Sequence, residues 1–177
     1  MRFQSFGKQV RLQQLVWAMM DYYKNDASRI SHFMLVYTLV DWISEEESLE
    51  EEIRYLLAVL ALTHDVGTKA AIKKYGRSNT ELQEREGPPV AHDILKQFNF
   101  SPELISRVCQ VIGRHHTYED IDGIDCQILM EAEILANIHE GHEGMPNAPH
   151  EYSKLFITRT GRKLFSKMCS ESSDTKK

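Results

Sequence analysis

The chain has 177 residues, of which 42% are apolar and 27% are charged, so it can bury a core without disulfides or a structural metal. Its formal net charge of -5 disfavours a nucleic-acid partner, because nucleic acids are bound through a basic field. Three cysteines without a Cys-x-x-Cys pair favour a reducing, cytoplasmic setting, and we expect neither a secretory signal nor a membrane span.

The first half of the chain shows apolar residues at helical spacing. This spacing predicts a helix over about 9–23, and a second one that begins at an Asp26 or Ser28 cap. A third helix is predicted over about 49–64, and its second half, LLAVLAL, is apolar on every face. A helix of this kind belongs at the centre of a bundle. We expect Gly67 to end it, followed by the short basic helix TKAAIKKYGR.

The second half continues the helical pattern. The segment EGPPVAHDILKQF predicts a helix start, because proline is tolerated in the first turn of a helix. Ser101 is the predicted cap of the next helix, SPELISRVCQVIGRHH, and DCQILMEAEILANIHE forms another. A loop over 141–149, rich in Gly, Pro and Asn, precedes a last helix over 151–168.

Strand signals are almost absent, because no period-two alternation is sustained anywhere in the chain. The fold class is therefore predicted to be all-α, with one domain over 1–177. Its core covers about 28–140, a helical extension covers about 150–169, and 170–177 is a frayed polar tail.

His64 and Asp65 stand at the polar end of the most apolar helix, where an unpaired carboxylate carries a large desolvation cost. A divalent cation would offset that cost, and an imidazole with a carboxylate suits manganese, iron, cobalt, nickel or zinc. A hydrogen bond between the two side chains at a helix end is the alternative. On the dipeptide alone, this alternative is the more common arrangement.

Two other polar positions lie in apolar helical surroundings. His32 is flanked by Ile30, Phe33 and Met34, and Glu133 lies with Glu131 in the apolar helix ILMEAEILANI. Each residue taken singly is typical of a hydrogen-bonded core position. Taken together with the His-Asp pair, they could close one octahedral site with open positions for water.

The order of these residues, a His, then His-Asp, then a distant acid, resembles the HD-domain superfamily of metal-dependent phosphohydrolases. The resemblance runs over about 32–137 and is closest to a subgroup of uncharacterised bacterial and archaeal proteins in the segments HDVGTKAAIKKYG, QEREGPPVA and GRHHTYEDIDGIDCQILMEAEILANI. It implies an HD-like helical bundle and a divalent ion, magnesium included, with a ligand set of His32, His64, Asp65 and Glu133. Glu133 departs from the family's usual Asp, and its added methylene moves the carboxylate by about 1.5 Å.

His115 and His116 end a helix at the motif HHTY. They can interact favourably with the helix dipole, or one of them can approach a substrate phosphate or a second metal. Relatives with two metals also need a histidine where this chain has Gln83 or Glu84, so we expect a single metal ion.

A basic cluster that includes Lys69 follows the His-Asp pair, and it is either a solvated face or a source of positive charge for a phosphate. Glu86 is a candidate base that would act from behind the metal ligands. The helix start near Gly87 could aim its N-terminus at an anion. The remaining histidines are predicted to lie on the surface: His92, His139, His142 and His150.

The resemblance implies hydrolysis of a phosphate ester, such as a nucleotide, by metal-activated water that Asp65 helps to orient. His115, His116 and Glu86 are the candidate proton donors. The rival prediction is a metal-binding or regulatory module without turnover, and a third is a structural adaptor without metal. A homodimer is the most common assembly and is expected here.

Overall fold

The computed structural model describes residues 2–141 and 152–169, with the backbone alone for 2–6. These residues form eight helices and no strand, so the all-α prediction is confirmed. In chain order the helices are α1 (Arg2–Tyr22), α2 (Ala27–Glu46), α3 (Glu51–Thr63), α4 (Gly67–Tyr75), α5 (Thr80–Gln97), α6 (Pro102–Ile112), α7 (Gly123–Glu140) and α8 (Arg159–Cys169).

The apolar helix α3 lies at the centre of the bundle, as its sequence predicts. It packs against α1, α2, α6 and α7, and its last seven residues are all buried. By length and composition alone the stretch Glu51–Tyr75 could cross a membrane, but 72% of its most apolar window is buried inside the protein. Its apolar character is therefore that of a core helix.

Local capping fixes the start of two helices. The Asp26 side chain accepts a hydrogen bond from the Arg29 N–H at 3.1 Å, so Asp26 and not Ser28 caps α2. Ser101 caps α6 in the same way through the Leu104 N–H, with Pro102 in the first turn, as predicted.

Gly67 does not end the central helix, contrary to the prediction. The last residue of α3 is Thr63, and Gly67 begins α4. A Cβ atom at Gly67 would lie 2.3 Å from the Gln83 carbonyl oxygen and 2.8 Å from the Gly87 nitrogen. The glycine is needed for close approach of the α4 and α5 backbones, which is a tertiary requirement.

The predicted helix start at EGPPVAHD is also wrong, because Pro88 and Pro89 lie inside α5. This helix begins earlier, where the Asn79 side chain accepts a hydrogen bond from the Leu82 N–H at 2.9 Å. Packing of α5 between α4 and α6 compensates for the two missing backbone donors. No helix N-terminus is therefore available at Gly87 to bind an anion.

The C-terminal helix is shorter than predicted, since α8 begins at Arg159. The segment before it is held by the buried Glu131 carboxylate, which accepts hydrogen bonds from the Ile157 N–H at 2.7 Å and the Thr158 N–H at 3.0 Å. Most of the predicted loop over 141–149 and the tail over 170–177 lie outside the described residues.

Candidate metal centre

The four predicted metal ligands come together from three parts of the bundle. His32 lies on α2, His64 and Asp65 directly follow α3, and Glu133 lies on α7. The Oε2 atom of Glu133 is 3.1 Å from Nε2 of His32 and 3.1 Å from Nε2 of His64, and these two nitrogens are 3.3 Å apart. The Asp65 Oδ2 atom is 3.9 Å from His32 Nε2 and 4.0 Å from His64 Nε2. All four residues are buried.

Each imidazole is oriented by a hydrogen bond from its other nitrogen. His64 Nδ1 donates to the Ala61 carbonyl at 2.9 Å, so its Nε2 can present a lone pair to the centre. His32 Nδ1 lies 2.8 Å from the Glu140 carboxylate, and this contact likewise orients the His32 ring with its Nε2 toward the centre. Histidine ligands of metal ions are commonly oriented in this way.

Glu133 fits the centre despite its extra methylene. Its Oε1 atom accepts a hydrogen bond from the Asn137 amide at 2.9 Å, and this turns Oε2 toward the two imidazoles. The Glu133 carboxylate therefore lies between His32 and His64. The departure from the family's Asp leaves the four ligand groups convergent.

The electrostatics of the cluster call for positive charge at its centre. Burial lowers the pKa of His32, but the hydrogen bond to Glu133 and the charges of Glu133 and Asp65 raise it to about 9. Burial raises the pKa of Glu133, yet the interactions with His64 and His32 hold it well below its usual range. The two buried carboxylates therefore hold a proton on the His32 imidazole. The same negative charges would compensate a metal cation at this place equally well.

The Asp65 carboxylate has a further cation on its outer side. Arg29 Nη1 donates to Asp65 Oδ2 at 2.8 Å. Burial raises the pKa of Asp65, but His64 and the nearby His115 hold it well below the normal value. The carboxylate is therefore ionised. Its Oδ2 atom accepts from Arg29 and lies 3.9 and 4.0 Å from the Nε2 atoms of His32 and His64, and its Oδ1 atom faces His115.

His115 and His116 lie next to this group. His115 is buried, and its Nδ1 donates to the Ile112 carbonyl at 2.7 Å. Its Nε2 has no hydrogen-bond partner among the described residues and lies 3.9 Å from Asp65 Oδ1. Asp65, His115 and His116 form a second group whose ligand atoms lie within 4.8 Å of one another. His116 Nε2 is 2.6 Å from Gln83 Oε1.

Two predicted catalytic residues do not reach the centre. The ammonium group of the exposed Lys69 donates to the Tyr22 carbonyl and lies 5.0 Å from the centroid of the Tyr22 ring. Glu86 accepts a hydrogen bond from the Tyr75 hydroxyl at 2.8 Å and pairs with Lys74. Lys69 is close to the His-Asp pair in sequence, but the side chains of Lys69 and Glu86 are engaged by α1 and α4 outside the cavity.

Two of the four histidines predicted to lie on the surface are among the described residues, and their exposure agrees with the prediction. His92 and His139 are exposed, and His142 and His150 lie outside the described residues.

A cavity of about 380 Å³ opens beside the cluster. Its lining includes His32, Asp65 and Glu133, and also Arg29 and His116. The sequence analysis missed Arg29, although it lies one helical turn before His32 and must share its face of α2. It missed Asn137 as well, which lies one turn after Glu133 on α7.

The HD domain family matches residues 29–147, which include all four ligands of the cluster. The fold is similar to the crystal structure of a predicted HD superfamily hydrolase from an uncultured Thermotogales bacterium, with a TM-score of 0.64 and 21% identity over 88% of this chain and 83% of that one. No curated protein is significantly similar to the chain. The family match covers more than half of the chain, and His32, His64, Asp65 and Glu133 lie together in the core, so the chain belongs to the HD-domain family.

Proposed function

We propose that the protein is a metal-dependent phosphohydrolase that cleaves a phosphate ester. The observation that carries the proposal is the convergence of His32, His64 and Glu133 within 3.3 Å of one another, with Asp65 beside them. Buried groups of this kind, with a cavity open to solvent on one side, are what a catalytic metal site requires.

The donor set fits a divalent ion, because two imidazoles and two carboxylates supply nitrogen and oxygen ligands of the borderline type. When bound, such an ion supplies Lewis acidity toward a phosphoryl group and lowers the pKa of water. The ionised Asp65 can also accept a hydrogen bond from a water molecule in the cavity and so help to orient it.

Arg29 is the group best suited to hold the phosphate. Its guanidinium lines the cavity, and one of its nitrogen atoms donates to Asp65 at 2.8 Å. Because a guanidinium has five donors in a fixed plane, this contact leaves others for phosphoryl oxygens. Arg29 takes the role that the sequence analysis gave to Lys69.

The pKa values of the two adjacent histidines are shifted in opposite directions. Burial and the neighbouring His115 lower the pKa of His116 to about 4, so at neutral pH His116 is an uncharged ring that hydrogen-bonds to Gln83. Burial lowers the pKa of His115 as well, but the nearby Asp65 raises it above the usual value. Of the two, His115 is the better proton reservoir, whereas His116 faces the substrate as a neutral polar group.

The test is hydrolysis of a broad panel of phosphate esters by the manganese-loaded protein, with the Asp65→Asn variant beside it. The matched control is Asp93→Asn, which alters an exposed carboxylate that also follows a histidine. We expect phosphate release by the unmodified protein and by Asp93→Asn, and loss of release by Asp65→Asn. Equal activity in Asp65→Asn would exclude the proposed chemistry.

A regulatory module without turnover would give a different result. It would bind manganese tightly while hydrolysing no ester of the panel. Hydrolysis that appears only in Glu133→Asp would identify the chain as an enzyme degraded at that ligand.

A further inference from the structure

The cavity beside the metal cluster has an unusually polar wall. Apart from the ligands, Arg29 and His116, the described side chains that line it carry amides or hydroxyls: Ser28, Asn79, Thr80, Gln83 and Asn137. Among the residues that the structure describes, no aliphatic side chain and no Phe, Tyr or Trp contributes to the lining. Whatever this wall recognises must itself be hydrophilic on most of its surface.

A nucleobase is a poor match for such a wall. Proteins hold bases mainly by stacking on aromatic or guanidinium planes and by packing on apolar side chains. Among the described residues of the lining, the one ring besides that of His32 belongs to His116. Its centroid is 3.9 Å from that of His115, and its Nε2 is committed to Gln83. The Arg29 guanidinium donates one hydrogen bond to Asp65 and is assigned to the phosphate in the proposed function.

The hydrogen-bonding groups of the wall complement hydroxyl groups instead. Asn79 and Gln83 use their side-chain oxygens within the protein, toward the Leu82 N–H and His116, and this leaves their NH₂ groups for a ligand. Asn137 uses its NH₂ group toward Glu133 and keeps its oxygen as an acceptor. A hydroxyl can accept from the first two and donate to the third, because it is both donor and acceptor.

The charge of the wall is suited to a single phosphate. Arg29 is the one cationic Lys or Arg side chain among the described residues of the lining, and the ammonium group of Lys69 is held by Tyr22 on a neighbouring surface. Di- and triphosphates need several cations to balance their charge. A monophosphate needs only the metal ion and one guanidinium.

From these observations we infer that the substrate is the monophosphate of a sugar or polyol and not a nucleotide. The inference rests on the proposed phosphohydrolase function and names its substrate class. The phosphoryl group lies between the metal cluster and Arg29, and the hydroxylated carbon skeleton lies against the amide groups of Asn79, Gln83 and Asn137.

Ribose 5-phosphate and AMP test this inference, because they share the ribose and the phosphate and differ in the adenine. With the manganese-loaded protein, we expect kcat/KM to be at least about tenfold higher for ribose 5-phosphate, since the described lining has no aliphatic side chain and no Phe, Tyr or Trp on which the base could pack. Calorimetry with the same two compounds should give an equal or larger ratio of dissociation constants. Equal or better use of AMP, in rate and in binding, would overturn the inference.

The two readouts separate this inference from the proposed function. Tenfold tighter binding of ribose 5-phosphate without hydrolysis would contradict the proposed phosphohydrolase function and support the inferred class of bound compound. Hydrolysis of both compounds at equal efficiency would support the phosphohydrolase and contradict the substrate class.

A variant of the wall supplies a specific control. In Gln83→Leu an apolar side chain of similar size replaces an amide of the wall, so we expect the preference for ribose 5-phosphate over AMP to fall by at least about threefold. Gln97→Leu alters an exposed glutamine on the same helix and should leave the preference unchanged. A general loss of stability would lower both efficiencies together without moving their ratio.

Discussion

The chain contains two His-Asp dipeptides with opposite surroundings. His64 and Asp65 follow the central helix α3, and their relative exposures are 0% and 6%. His92 and Asp93 lie on the outer face of α5, and their side chains are 51% and 78% exposed. Both pairs have the same composition, yet only the first meets ligands from other helices.

The difference follows from desolvation. His92 and Asp93 contact each other at 3.1 Å in solvent, where the charges cost little and contribute little. The buried Asp65 must be compensated, and the protein supplies Arg29, His115 and the His32–His64 pair for this purpose. The same dipeptide is therefore part of a candidate metal site only where a helix delivers it to the core.

Removal of one histidine from each dipeptide should give the largest difference in activity between the two sites. A metal ion contributes several kcal/mol to the transition state, and about 1.4 kcal/mol is tenfold in rate, so we expect His64→Ala to lower kcat/KM at least about 1,000-fold. His92→Ala should stay within about twofold of the unmodified protein, as exposed positions do. The measurement is phosphate release with the best ester of the panel. Similar losses in both variants would remove the distinction between the two sites.

Metal binding should also separate the two dipeptides in stability. At a free manganese concentration of about 100 times Kd, binding adds about 2.7 kcal/mol to the free energy of unfolding, or about 5–10 °C in Tm for a chain of this length. We expect this increase in the unmodified protein and in His92→Ala, and its loss with a chelator or in His64→Ala. Thermal scans with and without manganese provide the check, and an unchanged Tm in all three proteins would contradict the metal site.

The acid on α7 can be examined through two neighbouring glutamates. Glu133→Asp withdraws the carboxylate from His32 and His64, and a displacement of about 1 Å can cost up to 100-fold, so we expect manganese affinity to fall about 10- to 100-fold. Glu131→Asp should lower Tm while leaving affinity unchanged, because Glu131 binds the backbone of Ile157 and Thr158. Titration calorimetry measures the affinities. Tighter binding in Glu133→Asp would show that the longer side chain is a defect.

The stability of the metal-free protein should also depend on pH. The pKa of His32 is about 9 in the folded chain and about 6.5 when unfolded, so its stabilising proton is fully present below pH 6.5 and is lost as the pH rises through 9. The free energy of unfolding by urea should therefore fall over this range, and His32→Gln should show a smaller fall. A free energy that rises from pH 6.5 to 9 would contradict the assignment.

The candidate metal cluster could be predicted from the sequence because each of its residues stands out against its own neighbours along the chain. His32, His64 and Glu133 are polar residues in strongly apolar helices, and burial of such residues demands partners. Their order along the chain then matched a family pattern. The direction of each helix was not needed for this prediction.

The rest of the site depends on how helices face one another, and the sequence does not encode this locally. Lys69 and Glu86 are close to Asp65 or to a proline motif in sequence, but α4 and α5 turn their side chains away from the cavity. Arg29 lies at helical spacing from His32 and could have been found, whereas Asn79 and Gln83 reach the cavity only because Gly67 lets α5 approach α4 closely.

The most direct test is the metal content of two double variants after purification and loading with manganese. We expect one equivalent of manganese per chain in the unmodified protein and in His92→Ala/Asp93→Ala, and less than about a tenth of an equivalent in His64→Ala/Asp65→Ala, since a lost ligand pair cannot be replaced. Retention of a full equivalent by the latter, correctly folded by circular dichroism, would show that the buried dipeptide does not hold the ion.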